Sequence, residues 1–302
     1  MNRAIEYYYG IYPEKLIDNK SYYIFSFDNN DYIFSIWSRP NKDINTILEM
    51  SNELRRLGYN AHEIIINKDS RAITNINNEN YVLLKVNENP KEKIDLLDIL
   101  SYEKKYIVNS SYNNLKPNWK EAWQKRVDYL EKQMQYYGLN KEGIIDSFSY
   151  YIGLAENAII FYNNINEEDN TLCLSHRRVF YPNIWLNYGN PLSFMIDNPE
   201  RDIAEYLKSK FFYGDYKECY LDFNSYIKAK KMSRLSAQLL LARLLYPSYY
   251  FDVFEQVILD HNSEENIIKI LEGRKEYEAF LKYCYLTISK MFLLTSFPEW
   301  LL

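Results

Sequence analysis

Three cysteines in 302 residues are too few, and too odd in number, for a disulfide framework. Cys173, Cys219 and Cys284 lie far apart with no C-x-x-C pair, which argues against a thiolate zinc site and fits a reducing compartment. No run of roughly 18 apolar residues occurs, and the opening "MNRAIEYYYGIYPEK" lacks the apolar centre of a signal peptide. Neither a membrane span nor signal-directed secretion is therefore expected. Positive charge is not in excess either: 36 Lys and Arg stand against 41 Asp and Glu. A net charge of −5 leaves no field to gather a phosphate backbone, so nucleic acid is not an expected partner. Glycine is scarce, and only Gly10 precedes the first strand-like runs, so no glycine-rich phosphate loop is evident.

What is present is the composition of a folded chain, with 47% apolar and 25% charged residues, which argues against long disorder. The 31 tyrosines, with frequent Asn, Ile and Lys, fit an AT-rich coding sequence and an aromatic core. The length allows two compact units.

The pattern along the chain divides accordingly. Residues 21–40 hold two aromatic and β-branched runs around Asp28-Asn29-Asn30-Asp31, which predicts a β-hairpin. "NKDINTILEMSNELRRLGYN" places Ile44, Ile47, Leu48, Leu54 and Leu57 at largely helical spacing, with Asp43 as N-cap and Gly58 beyond the end. "HEIIIN" and "NYVLLKV" predict two further strands, and "DSRAIT" a third candidate. A polar connector with Pro90 follows. Beyond it the spacing is helical: Trp119, Trp123, Val127, Leu130, Met134 and Tyr137 mark one helix, and Phe148, Ile152, Ala155, Ile159 and Tyr162 the next. "TLCLSH" and "LSFMID" interrupt as short strands. "ERDIAEYLKSKFF", "SRLSAQLLLARLLYP", "YYFDVFEQVIL" and "EYEAFLKYCYLTISKMFLLT" then return to helix. The expected fold is α+β: a β-rich lobe with one helix over 1–86, a connector over 87–93, and a helical lobe over 94–302. That order of elements is that of a bilobal kinase-like fold, in which nucleotide lies between lobes.

The interrupting loop, 172–198, resembles the H-G-D-x-x-x-x-N segment and following I-D of aminoglycoside and choline kinase-type phosphotransferases. In that pattern the first Asp serves the acceptor hydroxyl, and the Asn and second Asp hold magnesium. Here His176 takes the His position, Arg177 the Gly position, Arg178 the Asp position and Asn183 the Asn position, with Asp197 as the second aspartate. An arginine cannot accept a proton, and no Asp or Glu lies between Asp169 and Asp197. Asn183 and Asp197 are candidate magnesium ligands, with capping of the helix that starts near 199–201 an alternative for Asp197. An arginine folded against Asp197, with Arg177 and Arg178 the candidates, would replace the metal's charge with a fixed one. His176 is read as a structural histidine, Arg201 as the partner of a carboxylate, and Asp202 as an acceptor for loop backbone. The strand "DYIFSIW" lacks the lysine that kinases place there, and Lys85 belongs to the last strand of the lobe. Glu49 and Glu53 are read as solvated, and His62 and His261 as surface or interface residues.

"LSHRRV", "PLSFMIDNPERDIAEYLKSKFF", "LLLARLLYPSYYFDVFE" and "FPEWL" together resemble the spore coat-associated kinase-like proteins of endospore-forming bacteria, the YutH-type branch of the CotS family. The resemblance runs from about Leu172 to the C terminus. It implies a phosphotransferase-like fold, synthesis in the mother cell cytoplasm, association with the spore coat and other coat proteins, and ATP with magnesium as the cofactors to test. The expectation is a pseudokinase lacking its base and small-lobe lysine. The alternatives are an active Mg/ATP-dependent phosphotransferase for a small molecule, and a coat interaction protein that needs no nucleotide.

Overall fold

The computed structural model describes residues 1–19, 22–87, 94–105, 112, 115–138, 142–165, 171–179, 188–259, 265–294 and 297–301. The architecture is α+β, with a small antiparallel sheet at the N-terminal side and a mostly helical remainder. Strands β1 (Ile17–Asp18), β2 (Tyr22–Phe27) and β3 (Asn30–Ile36) form a meander. Helix α2 (Asp43–Arg56) follows helix α1 (Asn2–Tyr9) in the chain, and β4 (Glu63–Ile65), β5 (Thr74–Ile76) and β6 (Glu79–Lys85) complete the sheet. The strand order is β1-β2-β3-β6-β4, with β5 also paired to β6.

The β2–β3 turn is a two-residue reversal in which Asp28 and Asn29 both take positive φ, at 48° and 58°. Such a turn matches the twist of the flanking strands, and short polar side chains tolerate it best. Side chains alternate across the sheet. Phe34, Tyr81 and Leu83 pack with Ile5 of α1 on one face, whereas Ile33, Val82 and Leu84 join Ile47, Met50 and Leu54 of α2 on the other. Helix α1 was not evident in the sequence, and it closes the face that α2 leaves open. Asp43 opens α2 but does not cap it, because Lys42 holds the cap position and no side chain bonds there. Gly58, just past the end, has a φ of 83°.

In the helical part, α3 (Leu96–Lys105), α4 (Trp119–Gln133) and α5 (Glu142–Asn163) precede the strand pair β7 (Cys173–His176) and β8 (Phe194–Asp197). The first five of the six α-helices described after β8 are α6 (Glu200–Tyr213), α7 (Tyr216–Ala229), α8 (Arg234–Leu245), α9 (Ser248–Leu259) and α10 (Glu265–Glu272). Helix α11 (Arg274–Ser289) comes next. The expected connector lies outside the described residues except at its first position, 87. The two parts touch directly: His62 N–H donates to Gly189 O at 2.7 Å, and Arg39 Nη1 to Phe194 O at 2.6 Å. His62 is therefore not a surface residue; it is 1% exposed where the sheet meets the helical part. His261 lies outside the described residues. Glu49 is exposed and Glu53 half-buried.

Candidate functional site

Strands β7 and β8 pair antiparallel with Cys173 opposite Asp197 and His176 opposite Phe194. Two residues after β8 the chain enters α6, so this hairpin and the first turn of α6 bring His176, Asp197, Arg201 and Asp202 together. His176 is completely buried and stacked on Tyr188. Its Nε2 lies 2.9 Å from Tyr188 O, an acceptor, so that nitrogen carries a proton. Its Nδ1 meets Asp202 Oδ2 at 2.6 Å, while the other Asp202 oxygen accepts from His176 N at 2.8 Å. Both ring nitrogens are thus committed to holding the loop. Arg201 donates from Nε to His176 O and from Nη2 to Arg177 O, at 2.8 and 2.6 Å. Burial pulls its pKa down to about 10, against the opposing pull of Glu205 and Asp197.

Asp197 is fully buried. Its Oδ1 accepts from Arg243 Nη2 at 2.7 Å and from Asn198 N at 2.8 Å, and its Oδ2 from Trp119 Nε1 at 2.8 Å. Arg201 Nε stands 3.8 Å from the same Oδ2. The two guanidinium groups also lie over the Trp119 ring, at 4.3 Å for Arg201 and 5.1 Å for Arg243. The arginines at this aspartate are therefore Arg243 and Arg201, not Arg177 or Arg178. Nor does Asp197 cap α6, whose cap residue, Pro199, receives no side-chain bond.

This donor set does not fit a divalent cation. A magnesium ion needs several oxygen ligands, whereas both Asp197 oxygens already accept from donors, two of them cationic or flanked by cations. Among the described residues, no group of three or more His, Cys, Asp or Glu side chains is placed to hold a metal. Asn183, the other candidate ligand, lies outside the described residues.

Arg178, at the position that the resemblance gives to a catalytic carboxylate, pairs with Asp252 of α9 through both its Nε and its Nη2, the latter at 3.0 Å. Burial opposes its charge, but Asp252 and Glu205 hold its pKa above the ordinary arginine value. Asp252 also faces Arg126 at 3.6 Å, so this carboxylate is shared between two guanidinium groups. Arg177 is exposed, and its guanidinium has no hydrogen-bond partner among the described residues.

These side chains border one cavity of about 600 Å³ between α4, the 177–178 segment, α6, α8 and α9. Six cations line it, Arg126, Arg177, Arg178, Arg201, Lys208 and Arg243, against the carboxylates of Glu205, Asp252 and Glu255. Trp119, Trp123 and Tyr246 supply an aromatic wall, with the last two stacked at 4.4 Å. Sequence reading missed Trp119, Arg126, Glu205, Lys208, Arg243 and Asp252 as site residues. One signal was available: Arg243 is the lone charge in "LLLARLL", and a charge inside an apolar run needs a buried partner.

The small lobe can be placed by topology. Strand β3 lies between β2 and β6 and directly precedes α2, and it carries no lysine, while Lys85 ends β6. The cation that follows β3 is Arg39, 9% exposed, which meets Asp43 at 3.7 Å and reaches β8. Burial, and then nearby Arg177, lower its pKa to about 10.

The family model "Spore coat putative kinase YutH" matches residues 2–284. The chain belongs to this family. Among curated proteins, the endospore coat-associated protein YutH of Bacillus subtilis (strain 168) is 30% identical over 187 residues. That match spans 54% of this chain and 54% of the relative, about half the length of each. Among solved structures, an aminoglycoside phosphotransferase from Alicyclobacillus acidocaldarius aligns with a TM-score of 0.66 at 9% identity, covering 96% of both chains. A spectinomycin phosphotransferase in complex with ADP and spectinomycin aligns at 0.59 and 13% identity, covering 94% of this chain and 92% of the other. These likenesses establish that this YutH-family chain has the phosphotransferase fold. No described helix is long and apolar enough to cross a membrane.

Proposed function

We propose that this YutH-family chain is a coat-associated pseudokinase, built as a small lobe over 1–86, a connector over 87–93 and a helical lobe over 94–302. It is made in the mother cell and joins the spore coat, where it meets other coat proteins and works by binding instead of phosphoryl transfer. The family match and the coat-associated relative support the setting. The loss of chemistry rests on one observation above the others: the Asp197 carboxylate is occupied by Arg243, Trp119 and Asn198, with Arg201 beside it. Phosphoryl transfer depends on metal and positioned charge to neutralise the migrating group. A fixed guanidinium at the metal position supplies charge without supplying coordination. The absent base and the β3 strand without lysine point the same way.

Thermal denaturation with ATP tests the metal claim, because a ligand that binds the folded state raises its apparent stability. Any ATP-induced rise in Tm should be equal in magnesium and in EDTA, and should persist in Asp197→Asn. A rise that needs magnesium and disappears in Asp197→Asn would overturn the reading.

A further inference from the structure

The cavity described above does more than block a metal. We infer that it is a binding site for a small oxyanion, a carboxylate or phosphate carried on an apolar body. The first argument is charge. Each carboxylate at the cavity is already committed: Glu205 to Lys208 at 2.6 Å, Asp252 to Arg178, Glu255 to Arg126 at 2.5 Å, and Asp197, beneath it, to Arg243. Six lining cations exceed these four by two, and the further carboxylate that acts on Arg177, Asp43, is shared with Arg39. An anion supplies what the protein does not, and a cation there would add to the repulsion.

The second argument is unmet donors. Arg177 lines the cavity and makes no side-chain hydrogen bond among the described residues; desolvation and then Arg178 pull its pKa down, against the attraction of Asp43. Arg243 is 2% exposed, yet its buried Nε has no hydrogen-bond partner. A buried N–H left unpaired forfeits the hydrogen bond it would make in water, a loss that a ligand oxygen recovers. Guanidinium groups match the two oxygens of a carboxylate or phosphate, so the chemistry of the surplus selects the chemistry of the ligand. The third argument is shape. A volume of about 600 Å³ falls within the range of small-molecule pockets. Trp119, Trp123 and Tyr246 offer an apolar wall to the body that carries the anion.

The inference concerns the cavity of the preceding proposal but does not require that transfer be absent. Detection of transfer would sink that proposal and leave this one standing, whereas failure to bind anions would sink this one alone. Because Trp119 and Trp123 line the cavity, intrinsic fluorescence at fixed ionic strength reports binding. The probes are phenyl phosphate, benzoate, inorganic phosphate and benzylamine. At least one of phenyl phosphate and benzoate should quench saturably, inorganic phosphate should compete, and benzylamine should do neither. Arg177→Gln should weaken the binding at least fivefold, while Arg234→Gln, an exposed arginine on α8 away from the cavity, should leave it unchanged. Saturable benzylamine binding of equal strength, no saturable quenching by either anion, or an Arg177→Gln affinity equal to wild type would each overturn the inference.

Discussion

Arg243 carries a permanent charge into a helix face that is otherwise leucine and alanine, and its carboxylate partner lies 46 residues earlier in the chain. Truncating one side of such a buried pair leaves the other uncompensated, which typically costs about 3–5 kcal/mol. Arg243→Leu should therefore lower stability by about 3 kcal/mol in urea denaturation, softened because Trp119 and Arg201 still face Asp197. Arg243→Leu combined with Asp197→Asn should lose less than the sum of the two single changes, by at least about 1 kcal/mol. Strict additivity would show that the two groups do not act as a pair. This site was half legible from sequence. Asp197 could be located by the motif it ends, and His176 by the loop it opens. What Asp197 touches could not, because Trp119 and Arg243 reach it from 78 and 46 residues away, and no local spacing encodes such a meeting.

Helix α6 shows the same logic at the level of an element. Every residue from Glu200 to Phe211 is buried, including five formal charges besides Glu205. Burial alone would raise the Glu205 carboxyl, but Lys208, Arg178 and Arg201 hold it well below the usual carboxylate range. Its folded pKa is thus lower than its unfolded one, so its stabilising share is complete above the unfolded value and is lost as pH falls further. The urea midpoint of the wild type should decline from about pH 4.5 downward. Glu205→Gln should show a shallower decline over that window, and an unchanged slope would contradict the assignment. Elements as such were well marked where periodicity was long. The β2–β3 hairpin followed from its runs and its Asp28-Asn29 turn, and α4, α5, α6 and α8 from their spacing. Helix α1 escaped because Tyr7-Tyr8-Tyr9 favours strand as readily as helix, and its single buried residue, Ile5, sets no period. Helix α7 escaped although Asp215 caps it and Cys219, Phe223, Tyr226 and Ile227 repeat at helical spacing, so there the signal was present. Helix α10 spans only 8 residues and buries two isoleucines, too little to distinguish from a strand.

At the scale of the whole molecule, a phosphotransferase fold surrounds a centre lined by six cations. The chain is net −5, yet the cavity beside Arg178 and Arg243 gathers cations. Arg39 and His62 tie the sheet to the segment that ends in Asp197, so the lobes meet through direct bonds at that point. The central claim is that this scaffold no longer transfers phosphate. Its most direct test is a single-turnover assay with protein in excess over γ-labelled ATP, magnesium, and a pooled small-molecule extract as acceptor. The account predicts no labelled phosphate, free or transferred, above the protein-free control over hours. Magnesium-dependent appearance of label on any acceptor, lost in Asp197→Asn, would contradict it.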